Sequence, residues 1–468
     1  MKNSHEGTKP RRKAKNRDDR FQADDGSGTC SMKHSESPLR AFVSSCETKN
    51  LTPKLRFPEF RDAPGWASVP LKQVADINPS GNELPASFIY IDLESVEAGE
   101  LKARNRISRQ GAPSRAQRLL RNGDVIFQTV RPYQKNNLFC VCEKTEDYVA
   151  STGYAQLRAR QSDRFLYHAV HNDDFVSAVM AKCTGSNYPA INSADLAEID
   201  IAVPSSLPEQ QKIASCLSSL DDLIAAERQK LDTLKAHKKG LMQHLFPRED
   251  EILPRLRFPE FRDAGEWTSV PLRTLLSREP EYGVSEPAVP YSEHLPTYLR
   301  ITDIDDDGRF ISETKTSVGI NATDEQCLCI GDIALARTGA SVGKSYLHRA
   351  GGERLVFAGF LIRIRPNPDA LTPSFLSSFL STSRYWDWVR VTSTRSGQPG
   401  LNGSEYASLQ VPIPPEGKDG LLEQQRISSC LSSLDDLIAA KNDKIETLTT
   451  HKNGLMQQLF PSAPETEA

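Results

Sequence analysis

One stretch of this chain occurs twice, and it restricts the possible folds more than any other feature. Residues 209–247 read EQQKIASCLSSLDDLIAAERQKLDTLKAHKKGLMQHLFP and residues 423–461 read EQQRISSCLSSLDDLIAAKNDKIETLTTHKNGLMQQLFP, with 28 of 39 positions identical. Neither copy has a proline or glycine before its last third, and Leu, Ala, Gln, Lys and Glu favour helix. Apolar residues alternate at spacings of four and three: Ile213, Leu217, Leu220, Ile224, Leu231, Leu234, Leu241 and Leu245, then Ile427, Leu431, Leu434, Ile438, Ile445, Leu448, Leu455 and Leu459. An apolar period of about 3.5 residues, held over about five heptads, marks a coiled-coil seam. Each helix extends for roughly 55 Å at about 1.5 Å per residue.

Two such helices can pair with each other, or each can lie as an ordinary amphipathic helix on its own domain. The seam is narrow, and its polar interruptions fall at equivalent places, Glu227 and Lys238 in one copy and Lys441 and Lys452 in the other. Both features favour pairing. The heptad itself leaves parallel and antiparallel pairing open. An end-to-end antiparallel alignment sets Glu227 opposite Ile445 and Leu231 opposite Lys441, so that opposite charges lie one layer apart and can help to set register.

A second duplication precedes the helices. LRFPEFRDAPGWASVPL (55–71) returns as LRFPEFRDAGEWTSVPL (256–272), 201 residues later. The chain therefore parses as lead-in, variable block and helix, twice over. The variable blocks, about 72–205 and 273–418, carry short β-rich runs between Gly, Pro and Asn: FIYIDL (88–93) and DVIFQTV (124–130), then TYLRITDI (297–304), GDIALAR (331–337) and RLVFAGFLIRIR (354–365). Helical pieces follow around Arg164–Met180 and Pro373–Val391. Residues 1–50, with the basic cluster PRRKAKNRDDR and an internal Met32 that could be a start, read as a disordered tail.

The length of 468 residues leaves room for two or three domains. A net charge of −3 supplies no global pull towards nucleic acid, so any DNA binding must rest on local patches. The absence of an apolar run of membrane-spanning length and of a signal-peptide pattern points to a cytoplasmic protein with no membrane partner. The nine cysteines include no C-x-x-C; Cys140/Cys142 and Cys327/Cys329 read as buried free thiols rather than zinc ligands.

Several motifs suggest catalysis and fail on inspection. Gly339–Ser345 (GASVGKS) is one residue short of a P-loop, although such a turn with Lys344 can hold a DNA phosphate. Asp369 with EGK at 416–418 imitates a metal-nuclease pattern inside a Pro/Gly-rich linker. The Asn/Asp-Pro-Pro-aromatic motif of aminomethyltransferases is missing, and His168 and His171 are lone histidines on a helix. No catalytic residue and no metal ligand is assigned.

Recognition features are stronger. Residues 101–123 hold seven basic and no acidic residues, among them Arg104, Arg106 and Arg109, and can neutralise phosphates or form a solvated loop. Arg131, Tyr133, Lys135 and Asn136 follow a strand, and Arg and Asn suit guanine and adenine edges. Asn187 and Tyr188 lie in an exit segment, TGSNYPAIN (184–192). In the second block the candidates are Arg337, Lys344, Arg395 and Gln398, with an Arg/aromatic run at 384–390 that can be core or interface.

Together, the paired lead-ins, the TGSNYPAIN exit, the PEQQKIA and LEQQRIS helix starts, GDVIFQTVRPYQKN (123–136) and GDIALARTGASVGK (331–344) resemble a specificity subunit of a Type I restriction–modification enzyme. The resemblance covers about residues 51–461. It implies an α+β or α/β fold in which two pseudo-repeated target recognition domains are joined by two long helices forming an antiparallel coiled coil. Its parts would be a tail (1–50), target recognition domain 1 (51–207), spacer helix 1 (208–247), a linker with target recognition domain 2 (248–420), spacer helix 2 (421–461) and a tail (462–468). The seam residues Ile213, Leu217, Leu220, Ile224, Leu231, Leu234, Ile427, Leu431, Leu434, Ile438, Ile445 and Leu448 would pair the helices. It also implies a noncatalytic chain that binds double-stranded DNA, two modification (methyltransferase) subunits and ATP-driven restriction subunits. S-adenosylmethionine, ATP and Mg belong to those partners, and this chain binds no cofactor. The second exit reads SGQPGLN (396–402) rather than TGSNYPAIN, so the two domains need not make equivalent contacts. A self-contained DNA-modifying enzyme and a purely structural coiled-coil protein are the other classes open to such a chain.

Overall fold

The computed structural model describes residues 51–462 apart from 82, 144 and 396. The tail expected over 1–50 lies outside the described residues, as does the second tail beyond Ser462. Each lead-in contributes a strand that pairs antiparallel with the strand just before its long helix: Ala67–Pro70 with Asp200–Val203, and Thr268–Pro271 with Gln410–Ile413. These clamps bring the two ends of each domain together. The duplicated segments then meet through a buried ion pair. Arg56 Nε and Nη2 donate to Glu209 at 2.7 and 2.8 Å, and Arg257 repeats the geometry on Glu423 at 2.7 and 2.8 Å.

Between the clamps, each domain holds two four-stranded sheets. The strands expected at 124–130 and 331–337 are Val125–Gln128 and Ile333–Ala336, buried along their whole length. Their neighbours are antiparallel, and among the described strands each domain has one parallel pair, Tyr148–Ser151 with Ser87–Ile91 and Leu355–Phe357 with Thr297–Leu299. The fold thus mixes α and β on mainly antiparallel sheets, the α+β side of the expectation. RLVFAGFLIRIR divides into two strands, Leu355–Phe357 and Leu361–Ile364, because Gly359 turns the chain. The helical pieces also divide. Asp163–Ala169 and Asp173–Lys182 are separate, since the Asn172 side chain caps the second helix; Thr382 does the same between Pro373–Phe379 and Ser383–Thr392.

The long helices span Leu207–Leu245 and Lys418–Leu459, 39 and 42 residues, or about 58 and 63 Å. They begin before the expected 208 and 421 and stop before 247 and 461, where a proline disfavours helical geometry at the preceding phenylalanine. They run side by side in opposite directions. Asp221 pairs with Lys452, Glu227 with Lys441 and Lys238 with Asp435, each at 2.5 Å, so positions rise in one helix as they fall in the other. This is close to the alignment that placed Glu227 opposite Ile445.

The seam corrects the sequence reading at its ends. Ile224, Leu231 and Ile438 are buried, and Leu220, Leu234, Leu434, Ile445 and Leu448 half-buried. Ile213 and Leu217 instead complete the core of the first domain, and Ile427 and Leu431 that of the second, beside the clamps that launch each helix. The helix ends do the reverse. Met242, Leu245 and Phe246 enter the core of the second domain, whereas Met456, Leu459 and Phe460 enter that of the first. Phe460 meets Trp66 edge-on, and Phe246 meets Trp267, with ring centroids 5.7 and 6.4 Å apart. Every long helix therefore starts in one domain's core and finishes in the other's.

Candidate nucleic-acid interface

Beyond strand Val125–Gln128 the chain enters a short turn on which Arg131 and Lys135 both adopt left-handed backbone, φ 54° and 53°. Side chains seldom accept that conformation, and where they do the neighbours must hold it. Here the exit segment does so. Arg131 N donates to Pro189 O at 2.7 Å, Ile191 N to Thr129 O at 3.0 Å, and Val130 bridges Ala190. The Arg131 guanidinium consequently stacks 4.2 Å above the Tyr188 ring, a cation–π arrangement. Tyr133 and Tyr188 are 51 and 65 % exposed, and Asn187 is exposed beside them. A half-buried arginine is thus gathered with two exposed aromatic rings and an exposed amide.

The rest of that sequence cluster is engaged within the protein. Lys135 Nζ binds Asp173 at 2.5 Å and His171 O at 3.0 Å, and Asn136 Oδ1 accepts from Ala98 N at 3.2 Å. The basic run is not an uncompensated patch either. Arg104 pairs with Glu143 at 2.5 Å, Arg106 with Glu146 and Arg109 with Glu83, acids brought in from outside the run. All three arginines stay about half exposed, and such pairs are weak enough to exchange for a phosphate.

The second domain builds the same backbone frame with other side chains. Gly339 N donates to Pro399 O at 3.0 Å, Leu401 N to Arg337 O at 2.8 Å, and Thr338 bridges Gly400. Gly339, at φ 72°, therefore occupies the post held by Arg131, and Gln398 that of Tyr188. A Cβ at Gly339 would lie 2.8 Å from Gln398 Nε2, so this glycine leaves room for the exposed amide. Arg337 lies two residues earlier in the frame, its guanidinium 5.0 Å from the Tyr282 ring. Lys344 and Arg395 face their own chain. Lys344 binds Asp306 at 2.6 Å on the wall of a 510 Å³ cleft towards the long helices, and Arg395 binds Glu405 and the carbonyl of Thr392 at 2.9 Å. The GASVGKS turn closes as a 3-10 helix, Gly339–Ser341, rather than a phosphate ring. In the run at 384–390, Tyr385 is buried and stacks on Trp388, which is half-buried against the core, while Trp386 is 38 % exposed.

Sequence reasoning missed the charge pair behind each frame. Asp124, buried, accepts from Arg158 Nε and Nη2 at 2.8 Å and from Gln156 at 2.7 Å; Asp332, also buried, accepts from Arg365 at 2.7 and 2.9 Å. The Asp332 side chain raises the Arg365 pKa above its ordinary value against the cost of burial. The repeated Gly-Asp at 123–124 and 331–332 was the available signal. His168 and His171 are structural. Burial lowers the pKa of both, that of His171 to about 4, and His171 Nδ1 donates to Tyr167 O at 2.6 Å. Among the described residues no His, Cys, Asp and Glu cluster could hold a metal, and no helix is long and apolar enough to cross a membrane.

Two clamped domains with matching loop frames on opposed long helices define a twofold-repeated scaffold, and comparison with known families agrees. The family model for the Type I restriction modification DNA specificity domain matches residues 65–236 and 297–450, one match per repeat. The chain belongs to this family. A Methanocaldococcus jannaschii protein assigned as the MjaX specificity subunit is 30% identical over 136 residues, 28% of this chain and 31% of that protein, so the match spans about a third of its length. The MjaVIII specificity subunit of the same organism is 23% identical over 309 residues, 64% of this chain and 69% of its own. The crystal structure of an S subunit from M. genitalium superposes with a TM-score of 0.55 at 16% identity, covering 88% of this chain and all of that one (100%). A chain from a structure of type I R-M complex assembly gives 0.50 at 21%, covering 85% and 98%. These two likenesses concern the fold.

Proposed function

We propose that this chain is the noncatalytic, sequence-reading subunit of a Type I restriction–modification complex, each domain reading one half of a split site in double-stranded DNA. The supporting observation is the twofold family match laid over two loop frames of one backbone design. Equivalent posts carry Arg131 and Tyr188 in one domain and Gly339 and Gln398 in the other, and different side chains at equivalent posts suit different bases. The opposed helices serve as an antiparallel coiled-coil spacer and as the dock for two modification subunits. Restriction subunits join that assembly in the cytoplasm, and the partners carry S-adenosylmethionine, ATP and Mg. Division into two recognition domains at 51–207 and 248–420, with spacers between, completes the reading. Arg104, Arg106, Arg109, Arg131, Tyr133, Asn187 and Tyr188 supply contacts in the first domain, and Arg337 and Gln398 in the second.

The test is exchange of residues 72–205 for the block of a relative with a different specificity, followed by sequencing of methylated DNA. One half of the recognised sequence should change and the other persist. Changes in both halves, or in neither, would reject independent readers.

A further inference from the structure

Phe360 is a large apolar side chain that the fold holds rigidly in water. It is 60 % exposed, on the turn between strands Leu355–Phe357 and Leu361–Ile364. Leu361 N donates to Ala358 O at 2.8 Å and Gly359 N to Val284 O at 2.7 Å, and Phe360 O accepts from Arg337 N at 3.0 Å. A Cβ at Gly283 would stand 2.2 Å from Phe357 O, so residues 282–284 lie flush against this turn. Arg337 Nη1 donates to Gly359 O at 3.2 Å, and its Nε is buried without a partner. Tyr282, 51 % exposed, is under that guanidinium, and its hydroxyl already accepts from Gly403 N at 3.0 Å. The second domain therefore gathers one arginine and two exposed rings, as Arg131, Tyr133 and Tyr188 are gathered in the first. The post equivalent to Phe360 is Gly153, whose carbonyl accepts from Thr129 N at 3.0 Å. A side chain there would press on Leu93 at 3.1 Å.

Resting on the recognition function proposed above, we infer that Phe360 is a base-reading residue of the second domain, packing against the 5-methyl group of a thymine in the major groove. A phenyl ring has neither donor nor acceptor, so it cannot read the hydrogen-bond pattern of a base edge; the thymine methyl is the apolar feature which that groove offers. Arg337 beside it supplies the charge that brings DNA to the ring.

The experiment uses the full chain, co-expressed with modification subunits, and a site selected from random DNA. Each thymine of the second half-site is replaced in turn by uracil, which removes the methyl and keeps every donor and acceptor. At one thymine the wild type should bind roughly fourfold more weakly, equivalent to about 0.8 kcal/mol for one buried methyl. Phe360→Ala should bind thymine DNA less tightly and show no further loss with uracil, while Phe360→Leu should keep part of the preference. Equal uracil sensitivity in wild type and Phe360→Ala, or none at any thymine of that half-site, overturns the inference and leaves the recognition function standing. A uniform loss across all sequences would make Phe360 a nonspecific contact and also overturn it. A wild-type chain that selects no sequence at all would sink the recognition function, and this inference with it.

Discussion

Arg56 and Glu209 are both almost wholly buried, the carboxylate 1 % exposed, and the arginine has no other carboxylate to turn to among its contacts. Removing one partner from such a pair strands the other charge, so Arg56→Ala should lower stability by about 3–5 kcal/mol in denaturant unfolding. Arg56→Ala with Glu209→Gln should recover a good part of that. If the double variant is as unstable as the single, packing rather than stranded charge sets the cost. His171 supplies a pH test. Its folded pKa of about 4 lies below the ordinary 6.5, so the unfolded chain takes up the proton first. Stability is therefore fully present above about pH 6.5 and falls as pH drops towards 4, by up to about 3 kcal/mol. His171→Gln should flatten that fall in thermal melts taken across this range; an unchanged slope would assign it to other groups. These residues also show what was hidden at this scale. Arg56 and Glu209 were visible as repeated letters, but their meeting across 153 positions depends on a clamp of strands that no local pattern announces. The acids that meet the basic run were hidden for the same reason, since Glu83, Glu143 and Glu146 reach it only through the fold.

At the scale of elements, the helices were the most legible part because their period is long and uninterrupted. What the period could not convey is a change of neighbour along one stripe: Leu217 faces its own domain and Ile224 the other helix. The two are one heptad apart in the same pattern. Ile224→Asp, at 6 % exposure, should cost at least about 3 kcal/mol and loosen assembly with modification subunits. Normal melting and normal assembly would place Ile224 outside the seam. Glu227 sits among Lys230, Lys441 and Lys444 at 3.3, 2.5 and 3.0 Å, and its hydrogen bonds to Lys441 and Lys444 pull its pKa down to about 2. Its contribution is thus present above about pH 4.5 and lost only as pH falls through about 2. Glu227→Lys should weaken helix pairing, and the exchange Glu227→Lys with Lys441→Glu should restore it. Thermal unfolding of the three proteins would show whether charge opposition, rather than side-chain size, fixes the alignment.

At the scale of the molecule, the helices can act as a ruler between the two domains. Inserting one heptad into each at matched positions preserves the seam and lengthens the separator by roughly 10 Å. DNA advances about 3.4 Å per base pair, so the preferred gap between half-sites should grow by about three pairs. Three pairs also rotate the groove by about 100°, which a heptad does not match, so binding should weaken as well. Selection from a library of gap lengths measures both effects. An unchanged optimum in a folded, assembled variant would mean that the helices do not set the spacing.

The near-identity of the two helices has a consequence for inheritance. Residues 209–247 and 423–461 share 28 of 39 amino acids in one chain, and coding stretches of matching similarity would be a substrate for homologous recombination. A crossover between them removes 214 residues, one domain and one helix's worth, and leaves a chain with a single reader. Because each helix ends in the core of the opposite domain, that shortened product must find a second copy of itself to fill the places of Phe246 and Phe460. Where the crossover falls then matters at one codon: a product keeping Glu227 sets two carboxylates together where the copies cross, and one keeping Lys441 sets two ammonium groups there. The other cross-helix pairs are indifferent to the exchange, because Asp221 and Asp435, like Lys238 and Lys452, hold equivalent places and still meet opposite charges in a self-associated product; the 227/441 post is where the intact chain differs from such a product.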